Sequence, residues 1–250
     1  MTCKKCKNLI GICLMTELAN KGIIIFSRYD SSRLPGKALI DIEGRSLLQR
    51  VIDRVKLVGE GIKIIVATSD RGVEEPIIEC ATAEGVSVFR GEFDNVAKRA
   101  YDCARHYNLT HFARVCGDRA FVPHQLITEF FEWSEKENLD LATNAIDKTY
   151  PPGFTTEIVK TDAMETLLAS TSLSDDLEHV TKYIYSNMNM FKVGNKVSDI
   201  DYGKISLVVD DENDLDRARY MVRKLGSKPQ FAGIEEVVDA AKSWYSKKSL

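Results

Sequence analysis

Arg28, Arg33 and Lys37 crowd one short stretch of the chain, which runs from Gly22 to Lys37 as GIIIFSRYDSSRLPGK. Like charges held this close repel, so the natural partner of such a loop is a polyanion, above all a nucleoside triphosphate. Ser31, Ser32 and backbone N–H groups add donors for phosphate oxygens. The same loop could equally be an ordinary solvated basic turn. A second candidate is Asp118, a lone carboxylate that follows an apolar run and Gly117. An acceptor-only oxygen pair in that position suits a hard cation such as Mg²⁺; its competing use is as a helix N-cap.

These groups need elements to hold them. Ile23 to Phe26 is a short apolar run, β-branched at three positions, the pattern of a central strand covered on both faces. A loop leaving such a strand emerges at the carboxyl edge of the sheet, where open α/β folds bind ligands. Ala38 to Ile42 reads as extended and Gly44 as a turn. Ser46 then caps a helix whose stripe is Leu47, Leu48, Val51, Ile52 and Val55. Further strands are expected over 62–68, 86–89, 112–116, 141–144 and 205–209. Helices are expected over 74–84, 94–107, 125–135, 162–170 and 214–225. The strand over 62–68 ends in Ser69-Asp70-Arg71, a second polar cluster on the same edge, where Asp70 could also be a helix cap. Strand–helix alternation of this kind predicts a parallel, doubly wound sheet.

Composition narrows the classes. With 34 Lys+Arg against 37 Asp+Glu, a net charge of −3 and a pI near 5.9, the chain is not built to bind nucleic acid through bulk charge. No apolar run approaches the roughly 18 residues that would span a bilayer, and the start is a poor signal peptide. A cytoplasmic protein is expected. Residues 1–20 read as a peripheral arm and 21–250 as a single domain, with Met15 a possible start close to the first strand. Among the six cysteines, Cys3, Cys6 and Cys13 lie in the arm. They lack a fourth ligand for structural zinc, which leaves free thiols as the simpler reading.

The basic loop resembles the nucleotide-binding loop of sugar-acid cytidylyltransferases. Arg28, Ser31, Arg33, Leu34, Pro35, Gly36 and Lys37 match that pattern, and Ser27 stands where the family has alanine. CMP-Kdo synthetase and the family of the spore-coat polysaccharide protein F share this loop. Val88-Phe89-Arg90-Gly91, followed by an acid and a helix carrying Arg99, is similar to the second of these. So are Thr149-Tyr150-Pro151 through Glu157 to Val159, Glu178-His179-Val180-Thr181, and Ile205 to Val209 ending in Asp210. The chain departs from the family after Gly117-Asp118, where Arg119-Ala120 replaces a residue and a proline.

The resemblance implies a three-layer α/β/α sandwich of the nucleotide-diphosphosugar-transferase (GT-A-like) type, with a mostly parallel mixed sheet. It implies transfer of CMP from CTP to a small acidic acceptor (a nonulosonic or Kdo-like acid, or a phosphonate) in cell-surface glycan biosynthesis, with release of pyrophosphate. Nucleotide-binding residues would be Arg28, Ser31, Arg33, Lys37, Ser69, Asp70, Arg71 and Arg90. Arg99, Tyr150, Glu157 and His179 would face the acceptor, although His179 could instead be a packing residue or a dimer contact. Asp118 and Asp210 would hold Mg²⁺, and these two acids with Arg28 and Lys37 would be the catalytic set. Asp214 is expected to cap a helix. No nucleic-acid or membrane partner is expected, and a homodimer is compatible with the reading. Two rival classes stay open: a glycosyltransferase using Asp199-Ile200-Asp201 as its metal motif, and a non-catalytic nucleotide-binding relative.

Overall fold

The computed structural model describes residues 20–31 and 33–248. The arm expected over 1–20, with Cys3, Cys6, Cys13 and Met15, lies outside the described residues except for Asn20, as does Ser32. Seven strands form one sheet in the order β3-β2-β1-β4-β6-β5-β7. Strands β1 (Lys21–Phe26), β2 (Lys63–Ser69), β3 (Ser87–Gly91) and β4 (His111–Cys116) are mutually parallel. Strand β6 (Glu157–Lys160) runs antiparallel to both β4 and β5 (Leu141–Thr143), and β7 (Val193–Asn195) runs parallel to β5. The sheet is therefore mixed and mostly parallel, as expected.

Both faces are covered. Ile23, Ile24 and Ile25 are fully buried, so strand alternation sends them to opposite layers. Ile23 and Ile25 join a cluster with Val51 and Ile52 of α1 (Leu47–Val55), Ile77 of α2 (Glu75–Ala83) and Phe130 of α4 (His124–Glu137). Ile24 joins Ala97, Ala100 and Cys103 of α3 (Val96–His106) and Met164 of α5 (Thr161–Ser170). Small residues on α3 let that helix sit close to the sheet. The Ser46 cap forms as expected, with Gln49 completing a reciprocal capping box. The short helices α6 (Ser174–Glu178) and α7 (Lys182–Ser186) follow α5. A third cluster packs α8 (Glu212–Leu225) and α9 (Ile234–Lys248) against Phe121 and Phe154.

Arg54 fastens this last layer. It is 1% exposed and donates to the carbonyls of Val122, Pro229, Gln230 and Ala232 at 2.6–3.2 Å. A guanidinium held only by carbonyls keeps no countercharge, and burial pulls its pKa down to about 10.

Two expected extended pieces differ. Over 205–209 there is no strand: Leu207 donates to the Pro152 carbonyl at 2.7 Å and Val209 to that of Asp118 at 3.0 Å, single hooks rather than a ladder. The neighbouring Pro151-Pro152 has no N–H to donate, so a ladder cannot extend there. Over 38–42 the chain instead makes a 3₁₀ turn at Lys37–Leu39, set by Gly36 at φ 67°, and only Asp41 forms a bridge, to Ser46. Strands β6 and β7 and helix α9 were not anticipated. Among the described residues Cys80, Cys103 and Cys116 are free thiols, and no helix is long and apolar enough to cross a membrane.

Candidate active site

The chain leaves β1 toward β2 and β3 on one side and returns to β4 on the other, so the β1–β4 boundary is the point where the winding direction switches. Open α/β sheets bind ligands in the crevice outside the strand ends at such a point. Phe26 and Cys116, the last residues of β1 and β4, are register partners, and Gly117 N–H donates to the Phe26 carbonyl at 2.8 Å. A Cβ on Gly117 would meet the Ser27 side chain at 3.0 Å and the Phe26 carbonyl at 3.1 Å, so glycine lets the two strand ends lie this close. The loops that follow carry Arg28 to Lys37 on one side and Asp118 on the other.

Lys37 is the hub. Its Nζ lies 2.8 Å from Asp210 Oδ1 and 3.5 Å from Asp118 Oδ2, and donates to the Val209 carbonyl at 3.2 Å. Arg33 reaches the second oxygen, Asp210 Oδ2, at 3.0 Å. Burial pushes the Asp210 carboxyl up, but the Lys37 hydrogen bond and the charges of Lys37 and Arg33 outweigh it and hold it below the usual carboxylate range. Asp214 is not the cap of α8; Asp211 is. Instead Asp214 accepts from the Asp210 N–H at 3.0 Å while pairing with Arg217 at 2.6 Å, which fixes the backbone at Asp210. Nor does Asp118 cap α4, whose N-cap is Pro123.

These groups open into a cleft of about 740 Å³. Arg28, Ser31, Arg33, Lys37 and Ser69 line it on the nucleotide side of the expectation, with Asp118 and Asp210 between. Arg99 and His179 line it as well. His179 is largely exposed and lies 3.3 Å from Asp175 Oδ1. The other expected residues sit outside the cleft lining. Asp70 is exposed, with no side-chain cap on the helical turns that follow it. Arg90 is committed to Glu75 and to the Asp70 and Arg71 carbonyls. Tyr150 packs against two core clusters. Glu157 is buried in β6, accepting from Arg114 at 2.5 Å, Thr181 at 2.7 Å and Tyr185 at 2.8 Å. Burial would raise the Glu157 carboxyl, but the Arg114 charge and the Thr181 hydroxyl hold it below its ordinary value.

Across residues 22–238 the sequence matches the family model for cytidylyltransferases. The chain belongs to the cytidylyltransferase family. Among relatives, it is 33% identical over 170 residues to an uncharacterised protein of Methanocaldococcus jannaschii, covering 68% of this chain and 69% of that one. It is 24% identical to the spore coat polysaccharide biosynthesis protein SpsF of Bacillus subtilis, covering 85% and 90%. The match to the 3-deoxy-manno-octulosonate cytidylyltransferase of Aeromonas hydrophila is 33% identical but spans 43% of this chain and 44% of that enzyme. A cytidylyltransferase structure from Leptospira borgpetersenii superposes with a TM-score of 0.84 at 24% identity, covering 92% and 96%. CMP-2-keto-3-deoxy-manno-octonic acid synthetase, solved with CTP, superposes at 0.60 and 18% identity, covering 80% and 97%.

Three residues of this cytidylyltransferase escaped the sequence reading. Glu74, 0% exposed, accepts from the Tyr29 N–H at 2.8 Å, the Ser69 hydroxyl at 2.7 Å and Arg71 at 2.9 Å, and so ties the basic loop to the end of β2. Arg71 also pairs with Asp30 of that loop at 2.8 Å and lies 3.6 Å from the Phe93 ring centroid, so it braces the loop from outside the cleft. Phe93 and Arg114 line the cleft. In sequence Glu74 is one of two adjacent acids before a helix, which looks like an exposed first turn, and Arg114 looks like the polar interruption of an edge strand. The cation expected beside Asp118 is turned away: Arg119 is buried and donates to the Thr155 carbonyl.

Proposed function

We propose that this nucleotidyltransferase joins CTP to a small acidic acceptor, a nonulosonic or Kdo-like acid or a phosphonate, giving a CMP conjugate and pyrophosphate. The observation that carries the reading is Lys37, held between Asp118 and Asp210 at the winding switch of the sheet, in a loop that also supplies Arg28, Ser31 and Arg33. Arg33 and Lys37 would turn from Asp210 toward the phosphates, and Arg28 and Ser31 would add donors. Each charge-assisted contact of this kind contributes about 1.5–3 kcal/mol. Their role is to position the α-phosphorus for in-line attack and to meet charge as it develops on the leaving pyrophosphate.

The two aspartates suit a divalent cation. They are acceptor-only oxygen donors, both within reach of one ammonium, and two carboxylates completed by substrate phosphates is the usual way Mg²⁺ is bound. Asp118 and Asp210 would hold Mg²⁺, which when bound neutralises phosphoryl charge and polarises the reacting oxygens. Among the described residues no group of three or more His, Cys, Asp or Glu gathers around a common point. The Asp199-Ile200-Asp201 triplet of the glycosyltransferase alternative is not in the cleft lining, and Asp201 accepts from the Gly203 N–H at 2.8 Å.

The test is pyrophosphate release from CTP, ATP, GTP and UTP, each with Kdo, N-acetylneuraminate and 2-hydroxyethylphosphonate. Release that requires CTP and one of the acids is expected. Sugar transfer from a nucleotide sugar without release of pyrophosphate from CTP would overturn the reading.

A further inference from the structure

The cleft has a second cationic region, away from the triphosphate loop. Strand alternation turns Phe26, Arg114 and Cys116 toward the layer of α3 and α6, where Val96, Arg99 and the α6–α7 corner with His179 and Val180 also line the cleft. Arg114 and Arg99 share an unusual hydrogen-bond pattern. Arg114 commits Nη1 to Glu157, and Arg99 commits Nη1 to the carbonyls of Glu92 and Phe93. In each, Nε is buried with no hydrogen-bond partner. Arg99 is 6% exposed and forms no ion pair within 4 Å among the described residues, so its charge is carried without a countercharge in contact. A buried donor without a partner costs about 1–3 kcal/mol, more when charged, and two of them lining one cleft point to an anion that completes both.

Resting on the reading of this chain as a CTP-dependent transferase, we propose that Arg114 and Arg99 form a dedicated oxyanion site for the acceptor, separate from the triphosphate cations, and that its ligand is the acceptor's carboxylate. A guanidinium that has given Nη1 to the protein still presents its Nε edge, which can pair with a planar carboxylate through two parallel bonds. Glu157 fixes Arg114 from behind and is itself fixed by Thr181 and Tyr185, so the fork is set before the acceptor arrives. Phe26, Val96 and Val180 give the body of the acceptor an apolar wall. A phosphonate offers the same oxygen charge in tetrahedral form, and a separate arm of the test carries it.

Calorimetry on the full chain decides the matter, with Kdo, N-acetylneuraminate, the C1 amides of both, and 2-hydroxyethylphosphonate titrated in the presence of CMP, and CTP titrated separately. Arg114→Lys retains a cation against Glu157 but has no Nε edge; Arg99→Lys does the same for its site. One of the two acids should bind wild type, its amide at least tenfold more weakly. Each lysine variant should lose at least tenfold in affinity for the acid and less than twofold for CTP. Variants that lose CTP affinity while keeping the acid would place both arginines at the triphosphate and overturn the proposal. Tighter binding of the phosphonate than of either acid would overturn the carboxylate assignment. Normal CTP binding with no binding of any acid or phosphonate would overturn the oxyanion site while leaving the nucleotide reading intact. Failure of wild type to bind CTP would instead remove the reading on which both depend.

Discussion

Lys37, Asp118 and Asp210 form a unit in which one ammonium answers two carboxylates, at 3.5 and 2.8 Å. Neither acid caps a helix or serves the core, so their cost in repulsion is met only by Lys37 and, for Asp210, by Arg33. Asp118→Asn and Asp210→Asn should each lower turnover by orders of magnitude with little loss of stability. The double variant should be scarcely worse than either single one, because groups that act together are grossly non-additive. Turnover and melting temperature measured on the three variants check this. Near-normal turnover in either single variant would take that aspartate out of the reacting centre. Lys37→Ala, by contrast, should melt lower than wild type, because it leaves the two carboxylates facing one another without a cation.

Among the elements, α1 and α2 are joined by Glu84. Its carboxylate accepts from Arg45 at 2.7 and 2.9 Å and from Gln49 at 2.8 Å, while Arg45 also grips Asp53. The Arg45 hydrogen bonds, opposed by burial and helped by Gln49, hold the Glu84 pKa at about 2. A carboxyl depressed in the folded state contributes stability that is fully present above its ordinary pKa, about 4.3, and is lost as pH falls to about 2. Glu84→Gln should therefore lower unfolding free energy by about 1.5–3 kcal/mol at pH 7, with the gap to wild type closing below about pH 4.3. Urea unfolding at pH 7, 4 and 3 measures it; a gap independent of pH would mean that shape rather than charge binds the helices. Elements of this kind differ in how far the sequence discloses them. Strand β1 and helix α1 were legible because a run of isoleucines and a capped apolar stripe each specify an element locally. The segment 205–209 has the same apolar look as β1, but it lies beside prolines that cannot sustain a ladder, and local pattern carries no information about that neighbour. Strands β6 and β7 are too short to show a period at all.

For the whole molecule, the winding switch between β1 and β4 gathers residues as far apart in sequence as Arg28 and Asp210. The cleft residues read from the sequence were those in loops after apolar strands, where position at a sheet edge follows from pattern. Glu74 and Arg114 were not legible, because their roles depend on which buried donors and acceptors the fold brings to them. The same geometry predicts how the molecule responds to its ligands. Lys37 and Arg33 already offset the two aspartates, and Mg²⁺ prefers six oxygen ligands in octahedral array, of which the protein offers few here. Mg²⁺ alone should thus leave the melting temperature almost unchanged. A triphosphate gives Arg28, Arg33 and Lys37 an anion to hold and gives the cation further oxygens, so CTP with Mg²⁺ should bind far more tightly than either alone. At about 100 times the dissociation constant, such a ligand stabilises by about 2.7 kcal/mol, which for a chain of this size raises the melting temperature by roughly 5–10 °C. CTP with EDTA should give a clearly smaller rise. Scanning fluorimetry across these conditions is the measurement. A full rise with Mg²⁺ alone would mean a preformed metal site built from ligands that this arrangement does not bring together.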